Sequence, residues 1–282
     1  MNIYLVPCNA MSRGGYVAED KGLIDLNQRK INLRILLSYH YFKNTDLIEL
    51  YGKYFDKPYP DTFLDSGAFS AATQGIQISI NEYADYIKKY KHLLTVYSNL
   101  DVIGNYQATN KNQLIMESLG LNPIPVFHTG SPFTELERLC EQYPYIALGG
   151  MVPYMKFPKK IMPFLIKAFK IAKKHNTKYH GFGCTSWRIL KVLPWYSVDS
   201  SSWGSGFRYG NVPLFDDKQG KFVTVNLGDS KSCKKYAHLF RELNFSWVDF
   251  ADRKRNDRAK ICAISAYSYI KAEKYLNRLH GW

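Results

Sequence analysis

The sequence predicts an α/β fold, a TIM-type (β/α)8 barrel with an extra C-terminal hairpin and helices, and three observations carry that expectation. Short apolar runs recur eight times, amphipathic stretches separate most of them, and the runs end in polar residues or glycine. Length agrees, since 282 residues with 46% hydrophobic content bury one large core without disulfides or a structural metal.

Taken in order, the runs are Ile3–Pro7, Ile35–His40, Thr62–Asp65, Val96–Asp101, Ile124–His128, Tyr145–Gly150, Tyr179–Gly183 and Tyr196–Asp199. Each is short and mostly aliphatic or aromatic, as in a parallel strand covered on both faces. Between them Asn81–Leu94, Asn110–Leu119, Phe133–Gln142 and Pro158–His175 space apolar residues by three and four with Lys or Glu interspersed, which predicts helices. The link from the first run to the second is the least regular and leaves an open doubly wound sheet as the alternative. Pro123 and Pro125 weaken the fifth strand. After the eighth run, Gly204–Leu227 is rich in glycine, aromatic and β-branched residues and reads as a loop with a hairpin. Helices over Lys231–Leu243 and Asn256–Leu279 then complete the outer ring. With no linker or repeat array, residues 1–282 form one expected domain, its core at 1–210 and the hairpin and helices at 211–282.

Charge narrows the partner. Lys+Arg 38 against Asp+Glu 24 leaves +14, which suits nucleic acid better than a neutral metabolite. No apolar run approaches the ~20 residues of a spanning helix. Met1–Pro7 lacks a basic leader and a small-residue cleavage pattern, so the expected location is the cytoplasm. The five cysteines, Cys8, Cys140, Cys184, Cys233 and Cys262, are odd in number and form no CxxC pair, as expected of reduced thiols. Trp187, Trp195 and Trp203 read as core. Oligomeric state stays open.

The strand ends carry the chemistry. Runs three, four and eight finish in Asp65, Asp101 and Asp199, run five in His128, and runs six and seven in Gly149-Gly150 and Gly181-Phe182-Gly183. Any one aspartate after a strand is commonly a helix cap or turn residue. Three carboxylates, a histidine and two glycine pairs at successive strand ends instead predict one active-site mouth.

Four motifs in this frame, Leu64–Phe69 (Leu-Asp-Ser-Gly-Ala-Phe), Leu148–Gly150, Tyr179–Gly183 and Ser197–Ser201 followed by Phe207–Gly210, resemble in order and spacing those of the queuine/archaeosine tRNA-guanine transglycosylases. The resemblance spans about Asp61 to Gly210. The compact length and the missing metal motif look more like the phage DNA-guanine transglycosylases. It implies an enzyme, a pentosyltransferase that replaces guanine in DNA with a free 7-deazaguanine base through a covalent aspartyl-sugar intermediate. Asp199 would be the nucleophile and Asp65 the general acid and base. Asp101 would read the base edge, with Ser66, His128, Gly149, Gly150 and Gly181 around it and Phe69 stacked on one face. His180 would lie against the other face, or be a partly buried, hydrogen-bonded histidine. Arg208 would hold a phosphate of the flipped nucleotide. The basic run with Arg253 and Arg255 is by base rate a solvated face that the global charge raises to a phosphate-contact candidate.

Departures qualify the resemblance. The family's strand-five glutamine is replaced by His128, and Met151-Val152-Pro153 follows the glycine pair. The cysteine cluster of its zinc site is absent, leaving Cys233, His238 and Cys262, so neither zinc nor another cofactor is expected. Because the family's zinc subdomain docks tRNA, its absence favours DNA over tRNA. Alternatives are a tRNA-guanine transglycosylase, an N-glycosidase using water on a nucleic acid or nucleoside, and a catalytically silent nucleic-acid-binding barrel.

Overall fold

The structure is a computed structural model that describes residues 1–7, 18–252, 254 and 257–281. All eight expected runs form strands: β1 (Asn2–Leu5), β2 (Arg34–Ser38), β3 (Asp61–Asp65), β4 (Val96–Tyr97), β5 (Val126–His128), β6 (Tyr145–Gly149), β7 (Lys178–Gly181) and β8 (Ser197–Ser200). They pair in parallel as one curled sheet in the order β4-β3-β2-β1-β8-β7-β6-β5. The first strand lies beside the last, with Asn2 opposite Ser197 and Tyr4 opposite Asp199.

The sheet's edges are β4 and β5, and they meet only through a single parallel bridge between Ser98 and Ile124. The sequence explains why the ladder stops there. Pro123 and Pro125 have no N–H, so Ile124 is the one donor in that stretch. It donates to the Tyr97 carbonyl at 2.9 Å and accepts from Asn99 N at 3.0 Å.

Strand alternation sends side chains to two environments. Leu5, Ile35, Leu37, Leu64, Ile146, Leu148, Tyr179 and Val198 join the main core under the helices. Tyr4, Leu36 and Phe63, with Val6, Val96, Ile124 and Phe182 packed on them, fill the inner face as a separate cluster. Burying each Leu or Ile contributes roughly 1.5–3 kcal/mol.

Helices Phe133–Gln142 and Pro158–His175 have the expected limits, and Ile80–Tyr90 starts where the Ser79 side chain accepts from Glu82 N. The stretch Lys231–Leu243 is not one helix but two, Ser230–Lys235 and Ala237–Glu242, because Tyr236 leaves helical geometry at φ −108°, ψ 21°. The irregular first connection contains the helix Ala18–Gln28, packed on the long C-terminal helix Arg258–His280. Its Gly22 permits that approach, since a Cβ there would lie 2.7 Å from Cys262 Cβ. The same C-terminal helix covers the sheet's N-terminal end through Glu273, which accepts from Ile3 N at 2.6 Å and Arg34 Nη1 at 2.5 Å.

The hairpin after β8 forms as β9 (Asn211–Asp216) and β10 (Lys221–Asn226). Trp195 and Trp203 are buried, and Trp187 is partly buried against Phe215 and Phe222. Cys140, Cys184, Cys233 and Cys262 are buried free thiols, while Cys8 lies outside the described residues. Among the described residues no helix is long and apolar enough to cross a membrane.

Candidate active site

The end of β3 is shaped by its Asp-Ser-Gly sequence. Asp65 Oδ2 accepts from Gly67 N at 3.0 Å and Ser66 Oγ from Ala68 N at 3.2 Å, two side-chain turns that steer the chain from strand to helix. Gly67 takes φ +75°, and a Cβ there would lie 2.5 Å from both His40 Cβ and Ser38 Oγ. Only glycine fits. The turn leads into helix Ala68–Thr73, whose Phe69 is 63% exposed on the rim.

Asp101 lies just beyond β4, with both oxygens engaged. Ser66 Oγ donates to Oδ1 at 2.9 Å and His128 Nε2 to Oδ2 at 2.9 Å. Gly149 makes that arrangement possible, since a Cβ there would stand 2.6 Å from His128 Cδ2. Its open space therefore holds the His128 ring rather than free room for a base. Gly150, at φ +74°, turns against Thr129, whose hydroxyl donates to the Gly150 carbonyl at 2.9 Å.

Asp199, buried on β8, accepts from Gly183 N at 2.7 Å through Oδ1. Beneath it His180 Nε2 lies 3.4 Å from the same oxygen. His180 Nδ1 is 2.7 Å from Ser197 Oγ, which is 2.5 Å from the Tyr145 hydroxyl. Burial pushes the His180 pKa below its ordinary value, against the opposing pull of Asp199. A neutral ring whose Nδ1 accepts from Ser197 presents Nε2–H to the carboxylate, the tautomer that avoids setting a lone pair against a negative charge.

The electrostatics separate the aspartates. Burial first, and then the charges of Asp101 and Asp199, together raise the Asp65 pKa to about 8 against the opposing N–H groups of Gly67 and Ser66. Asp65 thus carries a proton at neutral pH. A proton-bearing carboxyl beside two further carboxylates can protonate a leaving group at one position while a nucleophile attacks at another.

The structure brings Asp65, Ser66, Asp101, His128, Gly149 and Asp199 together at the strand ends, with Phe69 on the rim. His180 is different. Of its two readings, against the base or as a partly buried, hydrogen-bonded histidine, it fits the second and goes deeper, fully buried among Phe63, Phe182 and Tyr4 with the Phe63 ring centroid at 4.5 Å, because strand alternation sets residue 180 one layer below the mouth. Gly181 also departs from expectation. The side it leaves open faces Trp195 and Cys184 in the outer layer, where a Cβ would come within 2.8 Å of the indole. Arg208 is exposed, and its guanidinium donates to the carbonyls of Ser201 at 2.5 Å and Gly204 at 3.3 Å, next to β8. Arg253 and Arg255 lie outside the described residues.

Reading strand ends alone passes over Ser98, which supports Ser66 N at 3.3 Å, and the Ser197–Tyr145 pair. Stepping back two residues along each strand finds the supporting layer, Phe63 below Asp65 and Ser197 below Asp199.

For metals, Cys233 Sγ faces the carbonyls of Asn226 and Phe250, and Cys262 is buried against Gly22. Among the described residues one group of possible ligands converges, Glu137, Glu141 and His175 on the outer helices, where Glu137 already pairs with Lys174. No protein-family model matches this chain, and no curated protein matches it either.

Proposed function

We propose that this chain exchanges guanine in nucleic acid for a 7-deazaguanine, with the curled sheet working as a (β/α)8 barrel and DNA as the favoured substrate. The observation that carries the reading is the division of labour among three strand-end aspartates, one proton-bearing, one hydrogen-bonded through both oxygens and one held by a single backbone amide. A base exchange with retained configuration needs a nucleophile, an acid that becomes a base, and a fixed acceptor for the ring edge.

In this reading an Asp199 oxygen attacks C1′ of the extruded nucleotide, forming an ester while the bond to guanine breaks. Asp65 gives its proton to the departing base. The incoming base loses its ring N–H proton to the resulting Asp65 carboxylate, its nitrogen attacks C1′, and Asp199 leaves. Two inversions give retention, and both carboxyls return to their starting states. Asp101, oriented by Ser66 and His128, accepts from the donors on the base edge, Phe69 covers a face, and Arg208 holds a phosphate. The cycle needs neither zinc nor another cofactor.

The test is a denaturant-stable adduct between the purified protein and a guanine-containing oligonucleotide. Asp199→Asn should abolish it, and an unchanged adduct in that variant overturns the assignment. Release of guanine with water alone as acceptor, and no uptake of a deazaguanine, identifies an N-glycosidase instead.

A further inference from the structure

Between Glu141 and Asp199 the sequence contains no acidic residue and ten Lys or Arg. That stretch carries β6, β7 and the helices between them, so the positive charge of the protein is concentrated in one sector. Within it, the segment from Val152 to Lys160 runs from the C-terminal end of β6 into helix Pro158–His175 and combines two features. Val152, Tyr154 and Phe157 are exposed to 56%, 39% and 56%. Lys156, Lys159 and Lys160 are exposed among them, and none has an ion-pair partner among the described residues, although Lys160 Nζ lies 5.1 Å from the Phe157 ring centroid.

Neither feature is what stability favours. Exposed apolar side chains gain nothing from burial, and lysines in the first turn of an 18-residue helix oppose its dipole. Stacking surfaces interleaved with cations are what a flexible polyanion with flat bases requires. The segment also touches the catalytic end of the sheet. A Cβ on Gly183 would lie 2.6 Å from Val152 Cγ2, and Gly183 is the residue whose N–H holds Asp199 at 2.7 Å.

We infer that residues 152–160 form a platform for a single nucleic-acid strand, with Tyr154 and Phe157 stacking bases that flank the target nucleotide and Lys156, Lys159 and Lys160 holding backbone phosphates. The identity of the guest rests on the proposed base exchange; the charge and the exposed rings do not.

The test measures binding of the full chain to a fluorescein-labelled single-stranded DNA across a salt series. Reversing Lys156, Lys159 and Lys160 together to Glu should make the log–log salt slope shallower by about 2, since each single-strand phosphate contact contributes about 0.7. Phe157→Ala should weaken binding about 5- to 100-fold with the slope unchanged. Reversing Lys170, Lys173 and Lys191, of which Lys173 is about 21 Å along the helix from Lys159, is the control and should lose far less. Melting temperature should hold or rise in the first variant, because glutamates suit a helix start, so lost binding there is not lost folding. Equal losses in the control and platform variants would overturn the platform. So would sedimentation of the protein with phosphatidylserine vesicles, without DNA binding, that the triple reversal abolishes, because the surface would then serve a membrane. The two proposals fail separately. Platform-dependent binding without any Asp199-dependent adduct removes the reaction and keeps the surface, whereas an adduct with undiminished binding by the triple reversal does the opposite.

Discussion

Replacing Asp65 by asparagine should raise the stability of the protein at alkaline pH while removing its acid–base chemistry, and the structure sets the size and sign. The Asp65 pKa is raised from 3.8 to about 8 by burial first and by the charges of Asp101 and Asp199 second. Below pH 3.8 the side chain is protonated in both the folded and unfolded chain, and Asp65 costs nothing. Between 3.8 and 8 only the unfolded chain has released the proton, so stability falls with pH by about 1.36 kcal/mol per pH unit. Above 8 both states are ionised and the cost levels off at a limit of about 6 kcal/mol. Asp65 is only partly buried at the mouth, and solvent reaching the carboxylate reduces that limit. An advantage for Asp65→Asn of about 2–3 kcal/mol, or roughly 3–5 °C in Tm for a chain of this length, is expected at pH 9, shrinking towards zero near pH 4. The asparagine oxygen still accepts from Gly67 N, so the turn survives. Thermal unfolding of both proteins from pH 4 to pH 9, with base exchange measured on the same samples, checks it. Exchange should fall about 10²–10⁴-fold. A gain that does not grow with pH, or a variant less stable than the parent at pH 9, would refute the electrostatic reasoning.

Two further substitutions probe the other half of the site. Asp101→Ala should weaken base affinity more than it slows exchange of bound base, since it removes the acceptor that Ser66 and His128 orient and leaves both donors unpaired at a cost of about 1–3 kcal/mol each. Calorimetry with the free base against single-turnover exchange separates the two quantities. Gly149→Ala should displace the His128 ring, which stands 2.6 Å from the added methyl position, destabilise the fold by about 1–3 kcal/mol and weaken base binding in parallel with Asp101→Ala. Denaturant unfolding and the same calorimetry check it, and unchanged base affinity would mean that His128 takes no part in recognition.

Much of the fold was legible in the sequence. Strands appeared as eight apolar runs because a strand covered on both faces must be apolar along its length, and the prolines around Ile124 marked where pairing would thin. The connection from β1 to β2 was harder to read, because its helix buries Asp20 and packs through Gly22, two residues whose placement depends on the C-terminal helix hundreds of residues away in the chain. Helix periodicity does not mark such a position.

The site divides in the same way. That Asp65, Asp101 and Asp199 fall at or just beyond the C-terminal ends of strands three, four and eight follows from local pattern, as does the turn that Asp-Ser-Gly forms. Tertiary structure alone decided that Asp101 is shared between Ser66 and His128, that Gly149 makes room for His128, and that His180 lies beneath Asp199 instead of against a base. It also decided that burial and the neighbouring carboxyls raise the Asp65 pKa far above its ordinary value. The physical reason is range. Strand and turn preferences act over a few residues and are written in neighbouring side chains, whereas desolvation and Coulomb coupling depend on which distant strands converge.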